Sequence, residues 1–440
     1  MVRFFIFCFF CINNIILTFV KNINVMRASE VFIAGGMPRV TYNPRNDLKL
    51  EDTLKDYLDN GYKLISVTGP TKSGKTVLVN KVISTDNCIL ISGGSITQDT
   101  DFWNIILDEL EVCIPDSQTV AELSKETTTA TVSTGLNILG FGAKASLAGG
   151  EEEERTKGHS FKRHTSLKQR AIKALEEKLP VIIIDDFHYI QQSVQQQIIR
   201  ALKQPIFNGL RVIIIAVPHR AYDALKVETE MTGRVTQLSI KLWELEELKQ
   251  IAYSGFKELN VNSSDEIISM FAKESFGSPN LMQEFCLRLC KKNNIFETQD
   301  EIKALALSNE NEFFEDVVNS VTSKVAFERL AKGPRQRADR IQRKLKSGEI
   351  VDIYSAILHA IAETGPNTVI TYEELRKSLR SVMQDDLPKG NEITRVLSKM
   401  DEIAKTLQGE PVIDWDKDDT RLFISDPYFA FYLKWAVRSR

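Results

Sequence analysis

The amino-acid sequence predicts an α/β fold in which a parallel sheet is flanked by helices. Three apolar runs of strand length carry this prediction: residues 63–68, 180–185 and 210–217. They are rich in β-branched residues, which is typical of strands that are buried on both faces of a sheet. Segments with helical periodicity, such as 101–110 and 166–178, lie between them. This alternation of strands and helices is typical of a parallel sheet.

Composition sets broad limits on the class of protein. A chain of 440 residues corresponds to two or three domains. The apolar share of 43% and the charged share of 26% are those of a globular protein. The net charge of −3 excludes a global basic field, so any contact with nucleic acid depends on a local patch. Six cysteines are too few for a disulfide scaffold.

The N-terminal segment, residues 1–25, is difficult to assign. Residues 4–20 are mostly apolar and reach the short limit of a membrane span, but Asn13 and Asn14 at the centre would be costly in hydrocarbon. The run lacks a small-x-small cleavage site. We interpret it as upstream sequence before a working chain that starts at Met26, with a membrane tether as the alternative. Both interpretations predict a cytoplasmic protein, since Lys21 follows the run.

The strongest motif is Gly69-Pro-Thr-Lys-Ser-Gly-Lys-Thr76, which lies between a strand and a helix. The two glycines let backbone N–H groups approach phosphate oxygens, and the helix N-terminus adds partial positive charge. Lys75 can reach the β- and γ-phosphates, and the hydroxyl of Thr76 can hold Mg²⁺. The sequence therefore predicts that the chain binds a nucleoside triphosphate. The residues predicted to contact it here are Gly69, Lys72, Ser73, Gly74, Lys75, Thr76 and Val77.

A second site element is the apolar run 180–184, which ends in Asp185 and Asp186. Ligands bind beyond the carboxyl ends of parallel strands, so both carboxylates face the predicted crevice. Phosphate chemistry needs a carboxylate to hold Mg²⁺ and another group to orient the attacking water. We predict that Asp185 takes the metal role and Asp186 the water role.

The strand 210–217 ends in Pro218-His219-Arg220. Its position at the same sheet edge makes Arg220 a candidate for sensing the γ-phosphate, and a solvated helix start is an equal alternative. Residues 124–162, rich in Thr, Ala and Gly, interrupt the core. A mobile insertion is the favoured interpretation, and a β-hairpin that presents an apolar tip to a partner is the alternative.

Three regions follow the core. Residues 244–300 have helical periodicity, and residues 301–350 form a predicted helical linker. This linker carries a basic patch, Arg329–Lys346, which is either a solvated helix face or a contact with a phosphate backbone. Residues 351–440 contain three predicted helices and a predicted strand pair, the pattern of a winged helix.

These motifs together resemble the AAA+/STAND ATPases, most closely the archaeal-type and origin-recognition-type members. The resemblance covers residues 40–440 and implies a P-loop NTPase fold with an α-helical lid (244–300) and a C-terminal winged helix. It also implies an N-terminal adenine-pocket segment (26–60) and an ATPase core (61–243). In this resemblance the segment before the first helix lines the adenine pocket, and the Gly-x-Pro turn belongs to the lid. The residues that it adds to the nucleotide site are Val40, Tyr42, Arg45 and Pro279.

The resemblance also implies roles for two arginines. Arg220 matches a sensor position, and Arg234 matches an arginine finger that reaches the nucleotide of a neighbouring subunit. Lys75, Asp186, Arg220 and Arg234 are thus the predicted catalytic residues. Asp186 stands where AAA+ motors usually carry Glu, and a shorter carboxylate fits a slow, switch-like hydrolase better than a fast motor.

The sequence thus predicts an ATPase that hydrolyses ATP to ADP and phosphate with Mg²⁺ and that changes conformation or assembly with nucleotide state. The expected partner is a second copy of the chain when ATP is bound. Two alternatives remain. In one, the winged helix and Arg329–Lys346 grip DNA in an initiator or regulator. In the other, the chain binds nucleotide without hydrolysis and serves a separate effector protein, for example in phage defence.

Overall fold

The computed structural model describes most of the chain. The described residues are 25–83, 87–112, 166–217, 233–320, 322–334, 340–365, 367–407 and 411–438. Three predictions lie outside them: the apolar run 4–20, the insertion 124–162 and the role of Arg220.

Five strands form the main sheet: β1 (Leu64–Thr68), β2 (Cys88–Ser92), β3 (Val181–Asp185), β4 (Arg211–Ala216) and β5 (Val235–Ser239). Their order is β2-β3-β4-β1-β5. The pairs β1–β5 and β2–β3 are parallel, with Leu64 opposite Val235 in the first and Cys88 opposite Val181 in the second. The predicted α/β fold with a parallel sheet is confirmed.

The described helices surround this sheet and build the C-terminal half. They are α1 (Ala28–Val31), α2 (Leu50–Asn60), α3 (Lys75–Val82), α4 (Asp99–Glu109), α5 (Leu167–Lys178), α6 (Gln192–Phe207), α7 (Leu245–Glu258), α8 (Asp265–Glu274), α9 (Pro279–Lys292), α10 (Glu310–Ser320), α11 (Ser323–Lys332), α12 (Ile353–Glu363), α13 (Tyr372–Val382), α14 (Gly390–Thr406) and α15 (Pro427–Tyr432), which continues as a π-helix over Leu433–Arg438. The shorter strands are β6 (Val261–Asn262), β7 (Lys303–Ala304), β8 (Arg343–Lys344), β9 (Ile350–Val351), β10 (Val369–Thr371), β11 (Ile413–Asp416) and β12 (Arg421–Ile424).

The chain divides into two compact units. Among the described residues, those of unit 1 fall within 25–60, 64–83 and 213–438, and those of unit 2 within 61–63 and 87–212. Strands β1 and β5 belong to unit 1, and β2 and β3 belong to unit 2. The assignment of residues 61–243 to an ATPase core stays a prediction.

Unit 2 contains β2, β3 and helices α4 to α6. The side chains of Ile182, Ile183 and Ile184 are buried in β3, as the β-branched run predicted. Helix α4 contributes the buried ring of Trp103, whose indole N–H donates to Asp99 at 3.0 Å. Ser166 caps α5 by accepting the Gln169 backbone N–H. This core holds the carboxyl end of β3 in a fixed place.

In unit 1 the N-terminal segment packs on the helical region. The ring of Phe32 meets the ring of Phe256 edge-on with centroids 5.3 Å apart. A Cβ added to Gly255 would lie 2.3 Å from the Phe32 ring, so α7 needs glycine at this contact. Thr41 Oγ1 and the side chain of Gln283 on α9 form a buried hydrogen bond. The segment 26–45 is therefore anchored to α7 and α9.

The region predicted as a helical linker, residues 301–350, contains helices α10 and α11. Helix α10 buries Phe313 and Phe314 in an aromatic cluster that also includes Phe271, Phe285 and Phe431. The ring centroids of Phe271 and Phe313 stack at 5.1 Å. The apolar face of α10 therefore belongs to the core.

Residues 351–438 form what we call the C-terminal module. Helices α12, α13 and α14 pack with a three-stranded antiparallel sheet in the order β10-β12-β11. The predicted strand pair corresponds to β11 and β12, and β10 pairs with β12 as a third strand. The assignment of this module to a winged helix stays a prediction. Asp352 caps α12 and Thr371 caps α13, since each side chain accepts backbone N–H groups of the first turn.

Within the described ranges, none of the helices combines the length and the apolar character that crossing a membrane requires.

Candidate functional site

The glycine loop, residues 69–76, follows β1 and opens α3. A Cβ added to Gly69 would lie 2.7 Å from the Ile240 carbonyl oxygen and 3.1 Å from Ser73 Oγ, so no side chain fits there. Gly74 is the N-cap of α3 and has a φ of 91°, a conformation that favours glycine. The loop therefore wraps tightly at the N-terminus of a helix, as the motif predicted.

The loop buries polar atoms that have no protein partner. Thr71 Oγ1 and Ser73 Oγ are inaccessible to solvent, and neither has a hydrogen-bond partner among the described residues. Leaving a buried hydroxyl without a partner costs about 1–3 kcal/mol. The buried ammonium of Lys75 donates to the carbonyl oxygens of Gly69 and Pro70 at 3.0 and 2.8 Å. These donors fit an anionic ligand such as a nucleotide phosphate, which offers several acceptor oxygens.

Lys72 joins the loop to the C-terminal module. Its ammonium donates to both carboxylate oxygens of Asp426, at 2.9 and 3.1 Å. The ammonium also lies 4.2 Å from the centroid of the Tyr428 ring. Asp426 caps α15 by accepting the Tyr428 N–H at 2.8 Å, and the Tyr428 hydroxyl donates to Asn280 on α9. Burial, followed by nearby carboxylates, raises the pKa of Tyr428, so the phenol stays a neutral donor.

The helical region contacts the same loop from another side. The indole N–H of Trp243 donates to the Ser73 carbonyl oxygen at 2.9 Å. Ser278 Oγ donates to the Lys72 carbonyl oxygen at 3.4 Å, and Ser278 precedes Pro279, the first residue of α9. Gly277, with a φ of 72°, accepts the Trp243 backbone N–H at 3.1 Å. The turn that was assigned to a lid therefore lies against the glycine loop.

The predicted adenine segment lies beside these elements. Arg45 is buried, and its guanidinium donates to Glu247 and to the carbonyl oxygens of Lys241 and Leu242. Its charged carbon lies 5.0 Å from the Trp243 ring centroid. All of these contacts are made within the protein, and they place Arg45 beside Trp243.

Tyr42 and Val40, the other two predicted residues of that segment, contact different neighbours. The Tyr42 hydroxyl donates to Glu51 at 2.8 Å, and the Lys81 ammonium of α3 lies 5.3 Å from its ring centroid. Burial, together with the Glu51 carboxylate, raises the pKa of Tyr42. Val40 packs against the hydrophobic core. Tyr42 is thus the member of this segment that lies nearest the helix that the glycine loop opens.

Asp185 and Asp186 end β3 in unit 2. Asp185 Oδ1 accepts the Asp186 backbone N–H at 2.9 Å, and Asp186 has a left-handed φ of 52°. The Asp186 carbonyl oxygen would lie 2.3 Å from a Cβ on Gly93, so the turn needs glycine beside it. Packing thus fixes the two carboxylates at the carboxyl end of the strand, where the sequence predicted them.

Thr76 and Val77 lie half-buried in the first turn of α3. The described residues contain no group of three or more His, Cys, Asp or Glu side chains able to hold a metal ion. Mg²⁺ at phosphate sites is usually held by one or two protein oxygens with the phosphates and water. The Thr76 hydroxyl and the Asp185 carboxylate supply oxygens of this kind.

Arg234 and the glycine loop lie at opposite ends of the β1–β5 strand pair. It immediately precedes β5, and its carbonyl oxygen accepts the Leu64 N–H at 3.0 Å, where β1 begins. The glycine loop begins where β1 ends, after Thr68. Five residues of strand separate the two positions, or about 15 Å. The exposed side chain of Arg234 is therefore remote from the loop of its own chain.

Three described residues of the basic patch form contacts within the protein. Arg340 pairs with Asp352 at 2.6 Å, and Arg343 with Glu392 at 3.6 Å. Lys346 donates to the Arg380 carbonyl oxygen. The turn between β11 and β12 is acidic, with Asp416, Asp418 and Asp419 side by side. None of these features favours the phosphate backbone of a duplex.

Sequence reasoning missed three residues at the loop: Trp243, Asp426 and Tyr428. Each reaches the loop only through folding, because the contacts of Trp243 and Asp426 join residues 170 and 354 positions apart. Nothing in one sequence connects Asp426 or Tyr428 to Lys72.

The parallel sheet, the glycine loop after β1 and the carboxylates after β3 define a class of fold, that of the P-loop NTPases. No protein-family model matches the chain, and no curated protein matches it. Among solved structures, it is similar to a Walker-type ATPase of Pyrococcus abyssi, with 15% identity over 91% of this chain and 98% of that chain and a TM-score of 0.52.

Two further similar structures come from archaeal proteins. They are the ORC2 protein of Aeropyrum pernix (13% identity, 92% of this chain and 95% of that chain, TM-score 0.46) and Cdc6p of Pyrobaculum aerophilum (13% identity, 94% and 97%, TM-score 0.43). The fold assignment rests on the Pyrococcus abyssi structure, and it agrees with the fold that the sequence predicted.

Proposed function

We propose that this protein is an ATP-binding and ATP-hydrolysing switch of the AAA+/STAND type, in which bound nucleotide controls the position of the C-terminal module. One observation carries the proposal. Lys72, in the middle of the glycine loop, accepts a hydrogen bond from the helical region through its carbonyl oxygen and binds the C-terminal module through its ammonium.

The physical argument is competition for one cation. The Asp426 carboxylate and a nucleotide phosphate are both anions that a lysine ammonium binds by charge-assisted hydrogen bonds. Lys72 is fully engaged by Asp426, with both carboxylate oxygens within 3.1 Å. A phosphate that draws Lys72 toward the loop weakens the contact with the module. Nucleotide binding and the position of residues 351–438 are thereby coupled, as a switch requires.

The hydrolytic part of the proposal uses the remaining site residues. Lys75 and the loop N–H groups would bind the phosphates, and Asp186 would orient the attacking water. Thr76 and Asp185 would hold Mg²⁺, which would neutralise charge on the phosphates. The short Asp186 side chain supports slow turnover. The position of Arg234 supports a role at the nucleotide of a second copy, since about 15 Å of strand separates it from its own loop.

ATP turnover and the mass of the assembly test this proposal together. We expect the wild-type chain to hydrolyse ATP slowly and to form a larger assembly with ATP than with ADP. Lys75→Ala should abolish both effects, because it removes the buried ammonium of the loop. Binding of ATP without turnover would favour a non-hydrolysing partner of an effector. Absence of any nucleotide binding would refute the proposal.

Repeating the same assay with duplex DNA tests whether the C-terminal module binds DNA. If the C-terminal module grips a duplex, turnover or assembly should change with DNA, and the effect should fall steeply with salt concentration. We expect no such change, because Arg340, Arg343 and Lys346 of the patch are engaged within the protein.

A further inference from the structure

Trp243 lies where the glycine loop, the N-terminal segment and the helical region meet. Its indole N–H donates to the Ser73 carbonyl oxygen at 2.9 Å. We propose that Trp243 is a positioning residue that orients the Ser73–Gly74 peptide so that the Gly74 N–H faces a nucleotide phosphate. This inference rests on the proposed binding of nucleotide.

The argument begins with the geometry of the peptide unit. The peptide bond between Ser73 and Gly74 is trans, so its C=O and its N–H point in opposite directions. A bond from the indole to the Ser73 carbonyl oxygen therefore turns the Gly74 N–H away from Trp243. Gly74, with a φ of 91°, has no side chain to resist other orientations, so the loop by itself does not fix this peptide.

The indole is held in place from two other directions. The guanidinium of Arg45 lies 5.0 Å from the ring centroid, and the backbone N–H of Trp243 donates to the Gly277 carbonyl oxygen at 3.1 Å. A Cβ added to Gly74 would lie 4.0 Å from Trp243 Cζ2, so the ring rests against the loop. Arg45 and Gly277 thus hold the Trp243 indole in place, and its N–H orients the Ser73–Gly74 peptide.

The functional reason is preorganisation. Backbone N–H groups that already point at the phosphate position bind it without the cost of ordering the loop. The buried Ser73 Oγ, which has no partner within the described chain, lies on the residue whose carbonyl oxygen accepts the Trp243 indole N–H. The peptide held by Trp243 therefore presents its N–H to the ligand.

The test compares Trp243→Phe with the wild-type chain. Phenylalanine keeps an aromatic ring beside Arg45 but removes the N–H donor. The substitution removes one hydrogen bond and frees the peptide, which adds an ordering cost, so we expect ADP affinity to fall about tenfold. AMP lacks the β-phosphate, and its affinity should change less than about twofold. Isothermal titration calorimetry with ADP, and competition by AMP, measure the two values.

The controls separate this inference from a loss of packing. Trp103→Phe also removes an indole hydrogen bond, the one to Asp99, and should leave the ADP-to-AMP affinity ratio unchanged. If Trp243→Phe does not fold, benzothienylalanine at position 243 replaces the N–H by sulfur in a ring of nearly the same shape. Equal losses for ADP and AMP, or no loss for either, would overturn the inference. If the wild-type chain binds no nucleotide at all, the proposed function itself fails, which is a distinct result.

Discussion

Replacing Asp426 by asparagine tests the coupling between the glycine loop and the C-terminal module directly. The substitution removes the charge that holds Lys72 while keeping a side-chain oxygen that can cap α15 through the Tyr428 N–H. The change is therefore confined to the ion pair. If a nucleotide phosphate competes with Asp426 for Lys72, Asp426→Asn should bind ATP more tightly than the wild-type chain.

The expected gain in ATP affinity is estimated from the burial of the ion pair between Lys72 and Asp426. The Lys72 side chain is 33% exposed and that of Asp426 is 17% exposed, so the pair lies between a surface and a buried ion pair. Exposed pairs contribute about 0.2–1 kcal/mol, and hydrogen bonds to charged groups about 1.5–3 kcal/mol. A contribution of about 1–2 kcal/mol corresponds to an increase in apparent ATP affinity of roughly 5- to 30-fold.

The measurement is the dissociation constant of ATP, obtained by titration of both chains in low and high salt. Asp352→Asn is a matched control, because Asp352 also caps a helix of the same module and pairs with Arg340 at 2.6 Å. This control should lower stability without changing ATP affinity. If Asp426→Asn binds ATP no more tightly than the wild-type chain, Asp426 does not compete with phosphate and the switch argument from Lys72 is wrong.

Three further predictions follow from the structure. Arg234→Ala should reduce ATP turnover by about 10³-fold with little change in ATP affinity, because it lies far from its own loop; unchanged turnover in a steady-state phosphate assay would exclude a finger role. Gly255→Ala should lower the free energy of unfolding by about 1–3 kcal/mol, since the new Cβ would meet Phe32 at 2.3 Å, whereas Gly94→Ala should be nearly neutral in the same urea titration. Burial lowers the pKa of His359 below 6.5, so the unfolded chain binds more protons and stability should fall as pH drops through 6.5; His359→Gln should flatten this slope, and an unchanged slope in urea titrations from pH 5 to 7.5 would contradict it.

The elements that the sequence predicted well are those whose signals are local. Strands β1, β3 and β4 lie within one or two residues of the apolar runs that predicted them. A glycine loop between a strand and a helix is likewise readable from neighbouring residues. Strand β10, with three residues, gave no periodic signal, and it forms because it pairs with β12.

The contacts around the loop could not be predicted in the same way. Arg45 was assigned to the adenine pocket from its place in the segment, yet its guanidinium is occupied by Glu247 and two backbone carbonyls. Lys72 was assigned to the nucleotide, and its pairing with Asp426 depends on the folded C-terminal module. Only tertiary packing decides which partner a charged side chain takes.

The packing of unit 1 also constrains how such a switch can move. The carboxylate of Glu274 on α8 is buried, and it accepts from Lys434 and from the indole N–H of Trp435 in the C-terminal module. The aromatic cluster that contains Phe314 and Phe431 joins the same two regions. Breaking these buried contacts costs far more than breaking the partly exposed pair between Lys72 and Asp426.

The helical region and the C-terminal module should therefore move together, as one body relative to the glycine loop. Three of the hydrogen bonds that cross that boundary join Trp243 with Ser73, Ser278 with Lys72, and Asp426 with Lys72. All three end on two consecutive residues of the loop. A rearrangement of this short segment when phosphate binds would act on the whole body at once, because each contact is a directional hydrogen bond. The loop can thus control a much larger region without a dedicated relay of residues.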